Sequence, residues 1–167
     1  MKLFPDPRLR VLLGTLAATL VLGTLLASEE IQIEGAAGWA SSLPTWRIGG
    51  NWLLDIFWGG RPVTGYHVYI FSCVALFFHF PFVFAWRWHW RAEARALACI
   101  ALFWVWEDFL WFVLNPAFGI ARFAPEFVPW HHHWLWGAPT DYWLGSIACA
   151  VFSALSLGKP ARATSIA

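Results

Sequence analysis

Four apolar runs divide the chain: Val11–Ser28 (VLLGTLAATLVLGTLLAS), Tyr66–Trp86, Ala96–Asn115 and Tyr142–Gly158. Each is long enough to cross a bilayer as a helix, which takes about 17–25 residues. The last run, 17 residues, sits at the short end of that range. Polar residues gather in two long connections, 29–65 and 116–141, and in a short basic turn between the second and third runs. The pattern predicts an all-α polytopic membrane protein: one integral membrane domain over residues 1–167, with four transmembrane helices. A connection as long as 29–65 carries structure of its own. Within it, GGNWLLDIFWGG reads as a short interfacial helix between glycine stops, with Asn51 as its N-cap. Trp52, Phe57 and Trp58 would float it in the membrane interface.

Composition strengthens this reading. Hydrophobic residues make up 59% of the chain and charged residues 13%, against about 25% charged in ordinary soluble domains. The net charge of +1 gives no sign of nucleic-acid binding, and no nucleic-acid partner is expected. There are fourteen tryptophans, more than a core of this size requires, and Trp favours the membrane–water interface. Many stand where spans should end: Trp86, Trp88 and Trp90, then Trp130, Trp134, Trp136 and Trp143. Cys73, Cys99 and Cys149 each lie in an apolar run without CxxC spacing, which fits packing rather than a disulfide or a Cys-rich zinc site.

Basic residues set the expected orientation. Lys2, Arg8, Arg10, Arg87, Arg91, Arg95, Lys159 and Arg162 fall on one side of a four-span layout, and only Arg47, Arg61 and Arg122 fall on the other. By the positive-inside rule both termini are cytoplasmic and both long connections face outward, as in a bacterial inner-membrane protein. The basic start and apolar middle of the first run also fit a signal peptide, but the run is long for one and a retained span is expected. Thr15, Thr19, Gly23 and Ala27 recur every fourth residue, as do Gly145, Cys149 and Ser153. Such small-residue faces predict close helix packing by the first and fourth spans.

The chemistry concentrates in the third span. Glu107 and Asp108 stand side by side within WVWEDFLWFVLNP. An Asp at the centre of a spanning helix costs about 2.5–3.5 kcal/mol, so it faces a partner, a water-filled cavity or an ion. Asp108, Trp111 and Asn115 share a helical stripe that runs toward the end of the span, where Pro116 stops the helix and Gly119 can supply a left-handed turn. Glu107 sits about 100° around the helix from Asp108, so both can reach one groove. Within the following connection, WHHHWLW carries His131, His132 and His133. In an extended chain the first and third share a face, a spacing that offers two imidazoles to zinc or iron. His67 and Asp141 are further candidate ligands, with Glu126 nearby in sequence. His79 alone in its span is a candidate axial ligand for a haem or chlorophyll.

No activity transfers from a known motif. The Pro-Ser-Gly-His motif of membrane lipid phosphatases is missing, as are the HxxxH boxes of membrane hydroxylases, a phosphate-binding glycine loop and a GxSxG elbow. The leading expectation is a membrane metalloprotein with an outward-facing site. Its divalent metal, zinc or iron, would be held by the histidines, and Glu107 and Asp108 would act on a lipid-like or interfacial substrate. The alternatives are a non-catalytic accessory subunit of a larger membrane complex, or a proton or ion transporter. Expected partners are membrane lipids, partner subunits or further copies of the chain.

Overall fold

The structure is a computed structural model that describes residues 6–58, 60–85 and 87–158. Helices dominate: α1 Pro7–Glu34, α2 Trp52–Phe57, α3 Gly65–Ala85, α4 Trp90–Leu114 and α5 Thr140–Leu157. All but α2 are long and apolar enough to cross a membrane. The connections are not wholly helical. Arg47–Ile48 (β1) pairs antiparallel with Val63–Thr64 (β2), and Trp134–Leu135 (β3) with Ala138–Pro139 (β4). The second pair closes through Trp136 (φ 50°) and Gly137 (φ 80°), the two left-handed residues of a tight hairpin turn.

Helix ends follow local chemistry. Asp6 caps α1 by accepting from the Arg8 N–H at 2.8 Å, with Pro7 in the first turn. Asn51 caps α2 through the Leu54 N–H at 3.1 Å, as expected. His89 caps α4, which starts six residues before the predicted Ala96. The larger difference is at the end of α1. The acidic stretch from Glu29 was expected to open the first connection, yet it forms the last two turns of the helix. Glu30 and Glu34 continue the Thr19–Gly23–Ala27 stripe at helical spacing, and all five are buried.

α4 is the central element, with α1 and α5 packed on it through the small faces. A Cβ at Gly23 would come within 3.2 Å of Trp106, and one at Gly145 within 2.6 Å of Val105. α3 joins the bundle mainly through its first half, where Gly65, His67 and Val74 are its buried residues. Asn115 ties the ends of α4 and α1 together by donating to the Gly35 carbonyl at 2.8 Å.

The core sits at this same end, under the two long connections. Ala27, Trp111, Phe112 and Val128 are buried there, with Phe118, Phe123, Trp130 and Trp134 packed around them. Trp130 and Trp134 therefore belong to the core rather than the interface, because the 116–133 segment folds back over the helix ends. Trp58 likewise turns inward, against Trp39, Phe71 and Trp104. Trp52, Trp88 and Trp136 remain exposed, as expected of interfacial residues. Trp86 and the side chain of Phe57 lie outside the described residues.

Gly38 measures how tight this core is. An added Cβ would stand 2.6 Å from Trp130 Cζ2 and 2.9 Å from Trp111 Cη2, both rings held by neighbouring aromatics. Gly38→Ala is therefore expected to cost about 1–3 kcal/mol by overpacking, read as a lower melting temperature of the detergent-solubilised protein. Gly14→Ala, which meets nothing within 4 Å, should leave it unchanged.

Candidate functional site

Two polar clusters meet at Asp108. The first is built around Arg61, which is only 2% exposed. Its Nε donates to the Trp58 carbonyl at 3.1 Å, its guanidinium lies over the Trp39 ring at 4.3 Å, and Nη2 donates to Asp141. His131 stands beside it. Its Nε2 is 3.1 Å from Asp108 Oδ2 and its Nδ1 is 3.5 Å from Asp141 Oδ1. Tyr142, the next residue on α5, donates its hydroxyl to Asp108 Oδ2. Arg61 Nη1 also lies 3.1–3.2 Å from both ring nitrogens.

Charge explains this arrangement. Two carboxylates face one guanidinium and one imidazole, so the group is neutral overall when His131 is protonated. Burial works against a charged imidazole. The Asp108 carboxylate outweighs it despite opposition from Arg61, Asp141 adds to the effect, and His131 is held above its ordinary value of 6.5.

The second cluster has no such balance. Glu30 accepts from the Tyr66 hydroxyl at 3.0 Å and lines one cavity with Glu107. Glu34 accepts from the Ala40 N–H at 2.5 Å. His67 stacks on Trp39 with centroids 3.9 Å apart, and its Nδ1 is 2.6 Å from the Thr64 hydroxyl. Trp39 and Ala40 both hold left-handed backbone, with φ of 58° and 52°. Such a conformation is uncommon for a bulky residue and marks local strain. It places the Trp39 indole against both His67 and Arg61, at the junction of the two clusters.

Between these groups lies a cavity of about 20 Å³, lined by Glu30, Trp39, His67, Phe71, Trp104, Glu107 and Asp108. That is room for about one water molecule. Glu107 is 8% exposed, and its Oε1 has no hydrogen-bond partner among the described residues. Native proteins pair nearly all such buried atoms, so an orphan on a cavity wall points to a ligand, a water or a chemical role.

The expected site is thus brought together in part. Glu107, Asp108, His67, His131 and Asp141 all sit within it. The two neighbouring acids line one cavity, as their spacing predicts, but lean toward different partners: Glu107 toward α1 and Asp108 toward His131 and α5. The triple histidine does not act as one unit. His131 turns inward, while His132 and His133 are exposed, His133 lying 3.2 Å from Asp55. Both His131 nitrogens already face carboxylates, with a guanidinium alongside, a poor neighbour for a divalent cation. Among the described residues, no group of three or more His, Cys, Asp and Glu side chains has the spacing to hold a metal ion. His79 stands apart on α3, its Nδ1 2.6 Å from the Ala75 carbonyl and its Nε2 3.0 Å from Glu93, so both ring nitrogens are engaged. Glu126 is exposed, away from the site.

Arg61, Glu30, Glu34, Tyr66, Thr64 and Tyr142 are the site residues that the sequence reading missed. Glu30 and Glu34 had a legible signal in the unbroken small-face periodicity. Arg61 and Tyr142 had none, because their partners lie 70 or more and 34 residues away.

The first cluster makes stability depend on pH. A group whose folded value is raised stabilises the fold fully below its ordinary value, here 6.5. It loses that contribution as pH rises through the folded value. Melting temperature is therefore expected to fall as pH rises above 6.5, and His131→Gln should flatten that dependence. Arg61→Met leaves a buried carboxylate without its partner and should cost roughly 3–5 kcal/mol, read by the same melts. Comparison with known proteins adds no assignment to this site: no family model, no curated protein and no solved structure matches the chain.

Proposed function

We propose that this membrane protein works through an acid–base centre open to one side of the bilayer, with the Glu30–Glu107 carboxyl pair as its active element. The observation that carries this reading is the buried, unpartnered Oε1 of Glu107 on the wall of a cavity that Glu30, Asp108 and His67 also line. Two carboxyls on the wall of one buried cavity repel each other when both are ionised, and a proton on one of them removes that repulsion. Arg61 and His131 already balance Asp108 and Asp141, and among the described residues no cationic side chain is within ion-pair distance of Glu30, Glu34 or Glu107; Arg47, the basic residue nearby, donates to the Ala40 carbonyl instead. The pair is a proton store whose free oxygen can take a proton from, or give one to, a group entering the cavity. Glu107 is the exchanging group, Tyr66 holds Glu30 on the same cavity wall, and the Arg61–His131–Asp141 cluster fixes Asp108 behind it.

The basic residues at the opposite end support an orientation in which this end faces outward and both termini are cytoplasmic. The substrate would then be interfacial or lipid-like, met at the outer leaflet. Flux across the whole membrane is less well supported. Below Glu107, α4 carries no carboxylate or imidazole down to Arg95, about 18 Å away along the helix. A second reading, a divalent cation in the proton's position, has less support, because no group of three or more His, Cys, Asp and Glu side chains among the described residues is spaced to hold one.

Infrared spectroscopy and elemental analysis of the purified protein separate these readings. A protonated-carboxyl band that titrates with pH, disappears in Glu107→Gln and survives in Glu126→Gln is expected, without stoichiometric metal. Zinc or iron at one per chain, lost in Glu107→Gln, would replace the proton with the cation. If neither band nor metal depends on Glu107, the carboxyl pair only ties helices together and the proposal fails.

A further inference from the structure

At the opposite end of the bundle, α3 stands away from its neighbours and leaves a groove of about 510 Å³ between α1, α3 and α4. Its walls are apolar: Phe77, Phe78 and Phe82 on α3 face Ala18 on α1 and Cys99 on α4. Pro81, inside α3 and on the same wall, has no N–H to bond the Phe77 carbonyl one turn back. The helix is therefore weakened where the groove opens.

The groove carries one charged side chain, Arg95, which is half-buried. Among the described residues, no carboxylate lies within ion-pair distance of it. Arg91, one turn earlier on α4, has a buried Nε without a hydrogen-bond partner. The acid between them in sequence, Glu93, is already committed: His79 and Trp88 take its two oxygens, each at 3.0 Å. An apolar trough thus carries Arg95 on its wall, with Arg91 one helical turn earlier on α4, over the Trp90 ring, and no carboxylate among the described residues within ion-pair distance of either. Basic pockets between spanning helices are the form in which membrane proteins bind anionic lipid headgroups.

We propose that this groove is a specific site for an anionic phospholipid, with one acyl chain between α1 and α3 and the phosphate on Arg95 and Arg91. A zwitterionic lipid would fill the same trough but bring a cation along with its phosphate, and so would satisfy the arginines less well. The site is separate from the carboxyl cavity and does not depend on any reading of that cavity.

Reconstitution into nanodiscs with equal phosphatidylglycerol and phosphatidylcholine, followed by release and native mass spectrometry, tests it. The full chain is expected to retain phosphatidylglycerol preferentially. Arg95→Gln should reduce that preference about fivefold, as expected for one basic side chain near a membrane surface, and Arg95→Lys should keep most of it. Ala18→Phe fills the trough and should reduce retention of both lipids. All variants are compared at matched helical content by circular dichroism. Equal retention of the two lipids by the unaltered chain overturns the proposal. So does an unchanged preference in Arg95→Gln, or full lipid retention in Ala18→Phe. A lipid-insensitive dimer in place of bound lipid would show that a second copy of the chain covers the groove, and would equally overturn it.

Discussion

A guanidinium withdrawn from water holds the working end of this molecule together. Arg61 comes from the first connection, His131 from the second, Asp108 from α4 and Asp141 from α5. Arg61 lies 70 or more residues from His131 and Asp141, while α4, the second connection and α5 follow one another along the chain. Burying any one of their charges alone would cost several kcal/mol. Buried together, two acids and two bases offset one another, and the offset holds in one geometry only. The connections fold back over the helix ends because that is where the charges meet, and the aromatic core beneath them follows.

The contrast with the neighbouring carboxyls gives the site its character. Asp108 has a hydroxyl, an imidazole and a nearby guanidinium around it. Glu107, the adjacent residue, has another carboxyl and an open cavity. One turn of the backbone by about 100° separates an acid whose needs are met from one whose needs are not. Trp39 stands at the division, in contact with His67 and with Arg61, and its left-handed backbone marks the strain that this position imposes.

Legibility from sequence followed the range of the interactions. The four long apolar helices, the Asn51 cap, the Gly119 turn and the small faces of α1 and α5 all rest on neighbours a few residues apart, and they were readable. The end of α1 was misplaced because three glutamates look like a loop when only their polarity is weighed. Their spacing, which continues the buried stripe, was the better guide. The paired strands of the connections left no hydrophobic period, since each is two residues long. In the site, Glu107 and Asp108 stood out by their cost in lipid and His131 by its company. The triple histidine suggested one unit, but only His131 is buried, while His132 and His133 are exposed. Arg61 looked like an ordinary turn residue, and its role came only from partners that the fold delivers.

The order of these partners along the chain bears on how the molecule is made. Asp108 is synthesised before His131, Asp141 and Tyr142, the groups that satisfy it. When α4 first meets the bilayer, its acids lack the company that makes their burial affordable. α1, already in place with Glu30 and Glu34 at its end, can receive Glu107, but Asp108 must wait. The charges that balance Asp108 are therefore complete only once the C-terminal third of the chain is in place.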